Sequence, residues 1–457
     1  MSDHRQAALE YASQHKAKFL NDMVELVAIP SVSTDPNAAA DIQQAAEWVA
    51  DHLKKLGMNN VAVMPTGGLP LVYGEWLGAP GKPTVLVYGH YDVQPVDPLE
   101  LWASPPFQAT VRGENIYARG TSDMKGQDVA VFSALEAIIE TGELPVNVKF
   151  LLEGEEEIGS PSLEKFIREN QGLLKADAAL NPDAGMIGMQ YPTITYGLRG
   201  LASFELRVYG PATDLHSGLY GGVVHNPAVA LAELIAGMHN ANGTVLLPGF
   251  YDDVRPVSAE ERAEFARLPV DMEHFMEMTG VPLLWGEAEY TPFERVGVRP
   301  TLEINGLLSG FTGVGTKTVL PAYAMAKITC RLVPDQDPDK IYQSLKNYLE
   351  QNAPQTIRWE LINMQGGPAS ISDRQGAAVQ AMSQALETVW GSKPLFRREG
   401  GSIPVVAQMQ SILGIESVLT GFGLPDDNLH APNEKQHLPT WYKGIDALIH
   451  FFFNFSR

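Results

Sequence analysis

Several acidic and histidine side chains follow apolar, strand-like segments of this sequence, and their types suit divalent cations. His90 and Asp92 come at the end of a β-branched, apolar run that starts at residue 84. Such a run is typical of a strand buried on both faces, and ligands collect at the carboxyl ends of strands in open α/β sheets. An imidazole there can bind a metal while a nearby carboxylate fixes its tautomer. For this motif alone, an ordinary polar turn is an equally good interpretation.

Two further acidic positions stand out next along the chain. Asp123 lies in a glycine-bracketed turn directly ahead of a predicted helix, where a capping aspartate is common. The acidic run 153–157 follows the apolar strand 146–152 and ends in a Gly-Ser-Pro turn. Carboxylates crowded at a sheet edge are costly unless a cation or shared protons compensate them. Glu156 and Glu157 are therefore candidates for a general base and a metal ligand side by side.

Two more candidate ligands complete the set. Asp183 follows a strand predicted at 176–180, and His430 lies in a loop beyond a strand predicted at 416–419. Together, these side chains could hold two metals about 3.5–4 Å apart that share a carboxylate. The set consists of His90 with Asp92, Asp123, the pair Glu156 and Glu157, Asp183 and His430. Mixed histidine and carboxylate ligands favour Zn²⁺, or Mn²⁺ if the site is rich in oxygen.

Length and composition restrict the class of protein. A chain of 457 residues exceeds what one hydrophobic core usually serves, so two domains are expected. A net charge of −21 without basic tracts argues against nucleic-acid and anionic-membrane partners. The sequence has no apolar run of about 20 residues and no signal-peptide core. The single cysteine, Cys330, is predicted to be a core residue and fits a reducing cytoplasm.

The pattern of apolar and polar residues in the elements that must position these side chains changes along the chain. From about residue 198, apolar and polar residues alternate as in an antiparallel sheet with one covered face. Two strand–helix–strand units then predict a small α+β domain over residues 198–372. The flanking segments, 1–197 and 373–457, are predicted to form one α/β domain with a mixed sheet.

The order of these motifs along the chain resembles the order found in a known family. It resembles the dinuclear metallopeptidases that include carnosinase-like and bacterial dipeptidases, aminoacylase, acetylornithine deacetylase and succinyl-diaminopimelate desuccinylase. The likeness is strongest to the carnosinase-like dipeptidases, through Gly-His-Tyr-Asp-Val-Gln-Pro, Arg-Gly-Thr-Ser-Asp-Met-Lys-Gly, Asp-Leu-His-Ser-Gly and Arg-Glu-Gly-Gly-Ser-Ile-Pro. The resemblance implies a metallopeptidase catalytic domain with an inserted lid and dimerisation domain.

The resemblance also assigns roles to the acidic and histidine residues. It implies two metal ions that share one aspartate. One ion is held by His90, Asp123 and Asp183, and the other by Asp123, Glu157 and His430. By the same likeness, Glu156 matches the general base, and Asp92 matches the carboxylate that orients His90.

Further matches fall in the predicted inserted domain and near the C-terminus. His216 matches a histidine that the family contributes across a dimer interface to polarise the scissile carbonyl. Arg331 matches the arginine that binds the free α-carboxylate of the substrate. Thr318, Ser402 and the stretch 433–434 match substrate contacts. Glu155 and Ile158, which flank the glutamate pair, depart from the smaller or apolar residues that relatives often carry, and we expect them to tune the pocket.

The expected function is therefore a dinuclear-metal hydrolase that cleaves dipeptides with a free C-terminal carboxylate. Metal-activated water attacks the peptide bond, with Glu156 as the general base. The expected cofactors are two divalent ions per subunit, Zn²⁺ or alternatively Mn²⁺, and the inserted domain is expected to form a homodimer. An N-acyl-amino-acid deacylase or a carboxypeptidase on the same scaffold is the alternative. A non-catalytic binding protein is disfavoured because no ligand or base is missing.

Overall fold

The computed structural model describes residues 2–456, which form two compact units. The first unit comprises the chain up to Tyr196, then Ser372–Arg397, and the chain from Pro404 onward. The second unit comprises Gly197–Ile371 and Arg398–Ile403. The short segment Arg398–Ile403 thus belongs to the second unit, whereas the sequence predicts it in the first domain. Its side chains explain this, because Arg398 forms an ion pair with Glu261 of the second unit.

The N-terminal part of the first unit mixes helices and strands. Its helices are α1 (Ser2–Gln14), α2 (Lys16–Val27), α3 (Ala39–Lys55), α4 (Lys125–Thr141), α5 (Leu163–Glu169) and α6 (Gln171–Leu174). Its strands are β1 (Asn59–Met64), β2 (Leu71–Trp76), β3 (Thr84–His90), β4 (Thr110–Arg112), β5 (Asn115–Tyr117), β6 (Asn147–Glu153), β7 (Ala178–Asn181) and β8 (Thr193–Leu198). Short 3₁₀ turns lie at Leu99–Leu101 and Glu156–Ile158.

The second unit is an α+β structure. Its strands are β9 (Gly200–Tyr209), β10 (Leu215–His216), β11 (Thr301–Ser309), β12 (Val319–Leu320), β13 (Tyr323–Leu332), β14 (Arg358–Gly367) and β15 (Ser370–Ile371). Its helices are α7 (Ser217–Tyr220), α8 (Pro227–Ala236), α9 (Ala259–Phe265), α10 (Met272–Thr279), α11 (Pro292–Gly297) and α12 (Pro338–Asn352). The main sheet is antiparallel in the order β11-β13-β9-β14, and α8 and α12 pack against it. Buried residues alternate along β13, where Cys330 is buried as predicted.

The last part of the chain belongs to the first unit except for residues 398–403, which belong to the second. Its elements are β16 (Leu395–Glu399), β17 (Ser417–Leu419), β18 (Lys435–His437), α13 (Ala377–Trp390), α14 (Pro404–Gln408), a π-helical turn (Met409–Leu413) and α15 (Leu438–Phe455). Helix α15 packs against both α4 and α13. Among residues 2–456, no helix combines the length and apolar character that a membrane crossing requires.

A mixed sheet lies at the centre of the first unit. Its strands follow the order β1-β2-β6-β3-β7-β17-β8, and the neighbours β6, β3, β7 and β17 run parallel. Every residue of β6 and β7 is buried, as is every residue of β3 after Thr84. This continuous burial is typical of strands covered on both faces. Because four neighbouring strands run parallel, their carboxyl ends lie at one edge of the sheet.

Gly89, just before the end of β3, allows a close approach that sets the position of His90. A Cβ atom at residue 89 would lie 2.0 Å from Oδ1 of Asp128 on α4. No larger side chain fits there without moving the helix or the strand. The glycine therefore lets the strand pass close to α4 immediately before the first candidate ligand.

Candidate metal centre

The sheet edge and the loops around it bring the candidate ligands to one place. His90 is the last residue of β3, and the 3₁₀ turn Glu156–Ile158 follows β6. Asp183 comes two residues after β7, and Asp123 comes two residues before α4. His430 lies in the loop between β17 and β18. All of these positions belong to the first unit.

The five predicted ligands form two overlapping groups. His90, Asp123 and Asp183 each offer one ligand atom within 4.8 Å of the others, and so do Asp123, Glu157 and His430. Nε2 of His90 lies 3.2 Å from Oδ1 of Asp123 and 3.8 Å from Oδ1 of Asp183. Nε2 of His430 lies 2.8 Å from Oδ2 of Asp123 and 3.3 Å from Oε2 of Glu157. Asp123 thus presents one carboxylate oxygen to each group.

The surroundings of His90 fit a metal ligand. Its Nδ1 lies 3.1 Å from the backbone carbonyl oxygen of Asp92, which can only accept, so Nδ1 carries the proton. The buried Nε2 has no hydrogen-bond partner of good geometry among the described residues, and its nearest neighbours are carboxylate oxygens. A buried nitrogen left unsatisfied is costly, and a cation between it and the carboxylates removes that cost. Two imidazoles with three carboxylates, one of them shared, suit a pair of Zn²⁺ ions.

The carboxylates of the site affect one another's ionisation. Burial and the carboxylates of Asp183 and Asp123 raise the pKa of Glu156 to about 7. Burial and Asp123 raise the pKa of Glu157 to about 8. Burial also opposes ionisation of Asp123, but hydrogen bonding with His430 and His90 lowers its pKa. The site therefore has an excess of negative charge that a cation would offset.

Asp92 supports the site in a way that the sequence did not reveal. Its carboxylate accepts hydrogen bonds from the backbone N–H groups of Glu156 (3.3 Å) and Glu157 (3.1 Å). The same carboxylate lies 3.5 Å from Nδ1 of His90, farther than the carbonyl oxygen of Asp92. Asp92 thus orients His90 mainly through its backbone and fixes the glutamate turn through its side chain.

Glu434 holds the turn that carries Asp123. Its fully buried carboxylate accepts four hydrogen bonds. The donors are the Arg119 guanidinium (2.7 Å) and the backbone N–H groups of Gly120 (3.0 Å), Ser122 (2.9 Å) and Asp123 (3.1 Å). The side chain of Asn433 bonds to the backbone of Ala103 and Leu101. Both side chains bind the protein itself, so a substrate contact from the stretch 433–434 stays a prediction.

Two more side chains have structural roles that their positions in the sequence do not show. The carboxylate of Glu155 is buried and accepts hydrogen bonds from the backbone N–H groups of Leu69 (2.6 Å) and Ser162 (3.1 Å). It fixes a loop beside the glutamate pair, and its effect on the pocket stays a prediction. The side-chain amide of Gln94 donates to Oε2 of Glu157 at 2.7 Å and orients that ligand. The only sequence signal for Gln94 is its place four residues after His90.

His216 lies in the second unit, at the end of β10. It is exposed, and its neighbour Ser217 donates a backbone hydrogen bond to the carbonyl oxygen of Thr318 (3.0 Å). Nδ1 of His216 accepts a hydrogen bond from the backbone N–H of Gly218 at 2.9 Å. The neutral ring must then carry its proton on Nε2. His216 therefore presents a hydrogen-bond donor to solvent, beside the exposed Thr318.

Arg331 also lies in the second unit, with a second arginine nearby. Its guanidinium donates to the hydroxyl of Ser402 at 2.9 Å, and that hydroxyl donates to the carbonyl oxygen of Arg199 at 2.5 Å. Burial and the charge of Arg331 lower the pKa of Arg199 to about 10. Two neighbouring guanidinium groups form a positive patch, and a guanidinium can bind a carboxylate through two hydrogen bonds.

Comparisons with known proteins agree with this chemistry. The sequence profile of peptidase family M20/M25/M40 matches residues 86–454. The chain is 32% identical over 455 residues to a Cys-Gly metallodipeptidase of Candida albicans, covering 95% of this chain and 93% of that protein. It is 30% identical over 469 residues to the human Beta-Ala-His dipeptidase, covering 98% and 92%. The structure of an M20 family metallo-carboxypeptidase from Sulfolobus solfataricus matches with a TM-score of 0.85 and 34% identity, covering 96% and 99%.

Proposed function

This chain belongs to peptidase family M20/M25/M40, and we propose that it cleaves dipeptides with the help of two divalent metal ions. It is a metallopeptidase, and its similarity to a Cys-Gly metallodipeptidase and to the Beta-Ala-His dipeptidase supports a dipeptide substrate. The observation that carries the proposal is the position of Asp123, which belongs to both groups of candidate ligands.

Five side chains would hold the two ions. His90, Asp123 and Asp183 would hold one ion, and Asp123, Glu157 and His430 the other. When bound, such ions lower the pKa of a water molecule and polarise the carbonyl group of the substrate. We propose Zn²⁺ as the native metal because two imidazoles take part, with Mn²⁺ as the alternative because the other ligands are oxygen atoms.

Glu156 acts as the general base. Its carboxylate accepts a proton from the attacking water and then donates that proton to the leaving amine. A base whose pKa lies near the working pH transfers protons in both directions most effectively. The pKa of Glu156, raised to about 7 by burial and neighbouring carboxylates, supports this role. The hydrogen bond between its backbone and Asp92 keeps the turn in place.

His216 stabilises the negative charge that develops on the carbonyl oxygen of the substrate. The hydrogen bond that its Nδ1 accepts from Gly218 supports this role, since it leaves Nε2–H as the donor. One well-placed donor of this kind contributes about 3–4 kcal/mol to transition-state stabilisation. We propose that the chain forms a homodimer through the second unit and that His216 acts on the active site of the partner subunit.

Arg331 binds the free α-carboxylate of the substrate. Its guanidinium is held by the hydroxyl of Ser402, and the nearby Arg199 adds positive charge. Thr318, whose carbonyl oxygen accepts a backbone hydrogen bond from Ser217, the neighbour of His216, is exposed and is proposed to contact the same substrate. Recognition of a C-terminal carboxylate favours short peptides whose free end reaches the patch.

The buried Cys330, the single cysteine of the sequence, supports a reducing compartment, and we propose a cytoplasmic location.

Turnover of a substrate panel tests the proposal. Metal-loaded protein is assayed with free dipeptides, with N-acetylated amino acids and with longer peptides. We expect free dipeptides to be hydrolysed fastest, chelation to abolish the activity, and Zn²⁺ or Mn²⁺ to restore it. Faster hydrolysis of N-acetylated substrates indicates a deacylase, and faster removal of C-terminal residues from longer peptides indicates a carboxypeptidase. An absence of hydrolysis across the panel, unaffected by chelation, overturns the proposal.

A further inference from the structure

A second cluster of ligand-type side chains lies in the first unit, on three helices. Asp22 on α2, His52 on α3 and Glu136 on α4 each offer one ligand atom within 4.8 Å of the others. None of them belongs to the metal centre described above. Helix α4 begins at Lys125 and rises about 1.5 Å per residue, so Glu136 lies roughly 16 Å along the helix from its start.

His52 shows that this cluster differs from an ordinary acidic surface. Its side chain is only 7% exposed and has no hydrogen-bond partner among the described residues. The ring stacks on Trp48 with a centroid distance of 4.9 Å and packs against Phe132 at 5.1 Å. Burial and the nearby Lys18 lower the pKa of His52 to about 4, so the ring is neutral at pH 7. A buried imidazole with an unused ring nitrogen therefore faces two carboxylates.

Lys18 marks where a cation fits in the cluster. Its ammonium lies 3.0 Å from Asp22 and also forms an ion pair with Glu136. Lys18 offsets only one of the two carboxylate charges, and its side chain remains 45% exposed. Lys18 is the exposed member of both pairs, so its head group can turn into water when a divalent cation takes its place beside the carboxylates. The carboxylates and the imidazole would remain, with a net negative charge.

Tyr11 orients the carboxylate of Glu136 through a hydrogen bond, as groups around metal sites orient the metal ligands. Its hydroxyl donates to Oε1 of Glu136 at 3.2 Å. Burial and the charge of Glu136 raise the pKa of Tyr11 to about 12, so the hydroxyl stays protonated. Hydrogen bonds of this kind orient a ligating carboxylate and leave its other oxygen available.

We propose that Asp22, His52 and Glu136 form a peripheral Zn²⁺ site, for which the ammonium of Lys18 competes. One imidazole nitrogen and two carboxylate oxygens are ligands that Zn²⁺ accepts, with water completing the tetrahedral set. The stacked ring of His52 and the Tyr11 hydrogen bond already hold two of the ligands in place. A bound ion would join α2, α3 and α4, so it would stabilise the first unit.

Zinc binding measured on matched variants tests this site. Equilibrium dialysis against Zn²⁺, followed by metal analysis, compares the wild-type protein with Asp22→Asn and Glu136→Gln. We expect each variant to bind one ion fewer per chain while its peptidase activity stays unchanged. Lys18→Met removes the competing ammonium, and we expect it to tighten the peripheral Zn²⁺ binding at least about fivefold, the value of one weak ion pair, because Lys18 forms two pairs.

Asp51→Asn is the matched control, because Asp51 lies on α3 next to His52 but pairs only with the exposed Lys54. Its zinc stoichiometry should equal that of the wild-type protein. Anomalous diffraction at the zinc edge from wild-type crystals soaked in Zn²⁺ should give a peak between Asp22, His52 and Glu136. Equal stoichiometry in all variants, or no peak at this position, overturns the proposal. Because the variants share the same primary metal centre, the comparison is independent of the proposed peptidase function.

Discussion

Oδ2 of Asp123 lies 2.8 Å from Nε2 of His430, although 307 residues separate the two in sequence. Asp123 approaches from the turn before α4, and His430 approaches from a late loop. The backbone of His430 has φ = 58°, in the left-handed region that a histidine rarely adopts. Such conformations persist where the surrounding structure requires them, often at functional sites. The contact brings the last candidate ligand to the sheet edge.

Substitution of Glu156 by glutamine should remove the base without removing the metals. The amide cannot accept a proton, so we expect kcat to fall by about 10²–10⁴-fold, the usual contribution of a general base. Metal content, measured by elemental analysis, should stay at the wild-type level. Glu164→Gln is a suitable control, because Glu164 pairs only with Arg168 on the surface of α5. Retention of wild-type kcat in Glu156→Gln would assign proton transfer to another group.

Glu434→Gln tests the support of the Asp123 turn. The amide loses the charge that balances the buried Arg119, and it cannot accept all four hydrogen bonds. Removal of one member of a buried ion pair costs about 3–5 kcal/mol, so the free energy of unfolding should fall by that order. Affinity for the active-site metals should also fall about 10–100-fold, as for other outer-shell changes. Urea denaturation and metal titration measure the two effects.

Asp51→Asn serves as the comparison for the stability effect. Asp51 forms only an exposed pair with Lys54, so its denaturation midpoint should not change measurably. If Glu434→Gln also unfolds at the wild-type denaturant concentration, the buried pair does not hold the turn.

Mixing two inactive variants tests the proposed action of His216 across the dimer. In a heterodimer of His216→Ala and Glu156→Gln, one site would combine an intact Glu156 with an intact His216 from the other subunit. Random exchange of subunits should then restore about a quarter of the wild-type activity, because half of the dimers carry one complete site. If His216 acts within its own chain, the mixture should remain inactive.

Asp446 on α15 predicts a pH dependence of stability far from the metals. Burial raises its pKa from 3.8 to about 6, so the folded protein favours the protonated form. The contribution of the protonated Asp446 to the free energy of unfolding is fully present below pH 3.8 and is lost as the pH rises through 6. Asp446→Asn should therefore change the free energy of unfolding more favourably at pH 8 than at pH 4. The difference between the two effects should reach up to about 3 kcal/mol. Denaturation at the two pH values measures the difference, and an equal effect at both would contradict it.

Much of the fold could be predicted because long elements carry strong patterns. The strands expected at 146–152, 176–180 and 416–419 are Asn147–Glu153, Ala178–Asn181 and Ser417–Leu419. Helical apolar spacing runs through residues 6–28 and does not mark the break between α1 and α2 at His15, whose ring hydrogen-bonds to the Tyr11 carbonyl (2.8 Å). Helices α9, α10 and α11 were missed because segments of six to eight residues show little periodicity.

The residues of the candidate site also fall into those that the sequence could identify and those that it could not. Ligand-type residues such as His90 and Glu157 could be found in the sequence because they follow apolar strands or sit in acidic runs. Glu434, Arg119 and Gln94 could not be assigned, because their roles depend on partners far along the chain. Arg119 and Glu434 are separated by 315 residues and meet only in the folded protein. A single sequence contains no local signal for such a pair.

The most direct test of the account is the crystal structure of the zinc-loaded protein with anomalous data at the zinc edge. We predict two strong peaks beside Asp123, about 3.5–4 Å apart, one contacting His90 and Asp183 and the other Glu157 and His430. A single peak, or a pair of peaks that Asp123 does not bridge, would contradict the dinuclear mechanism.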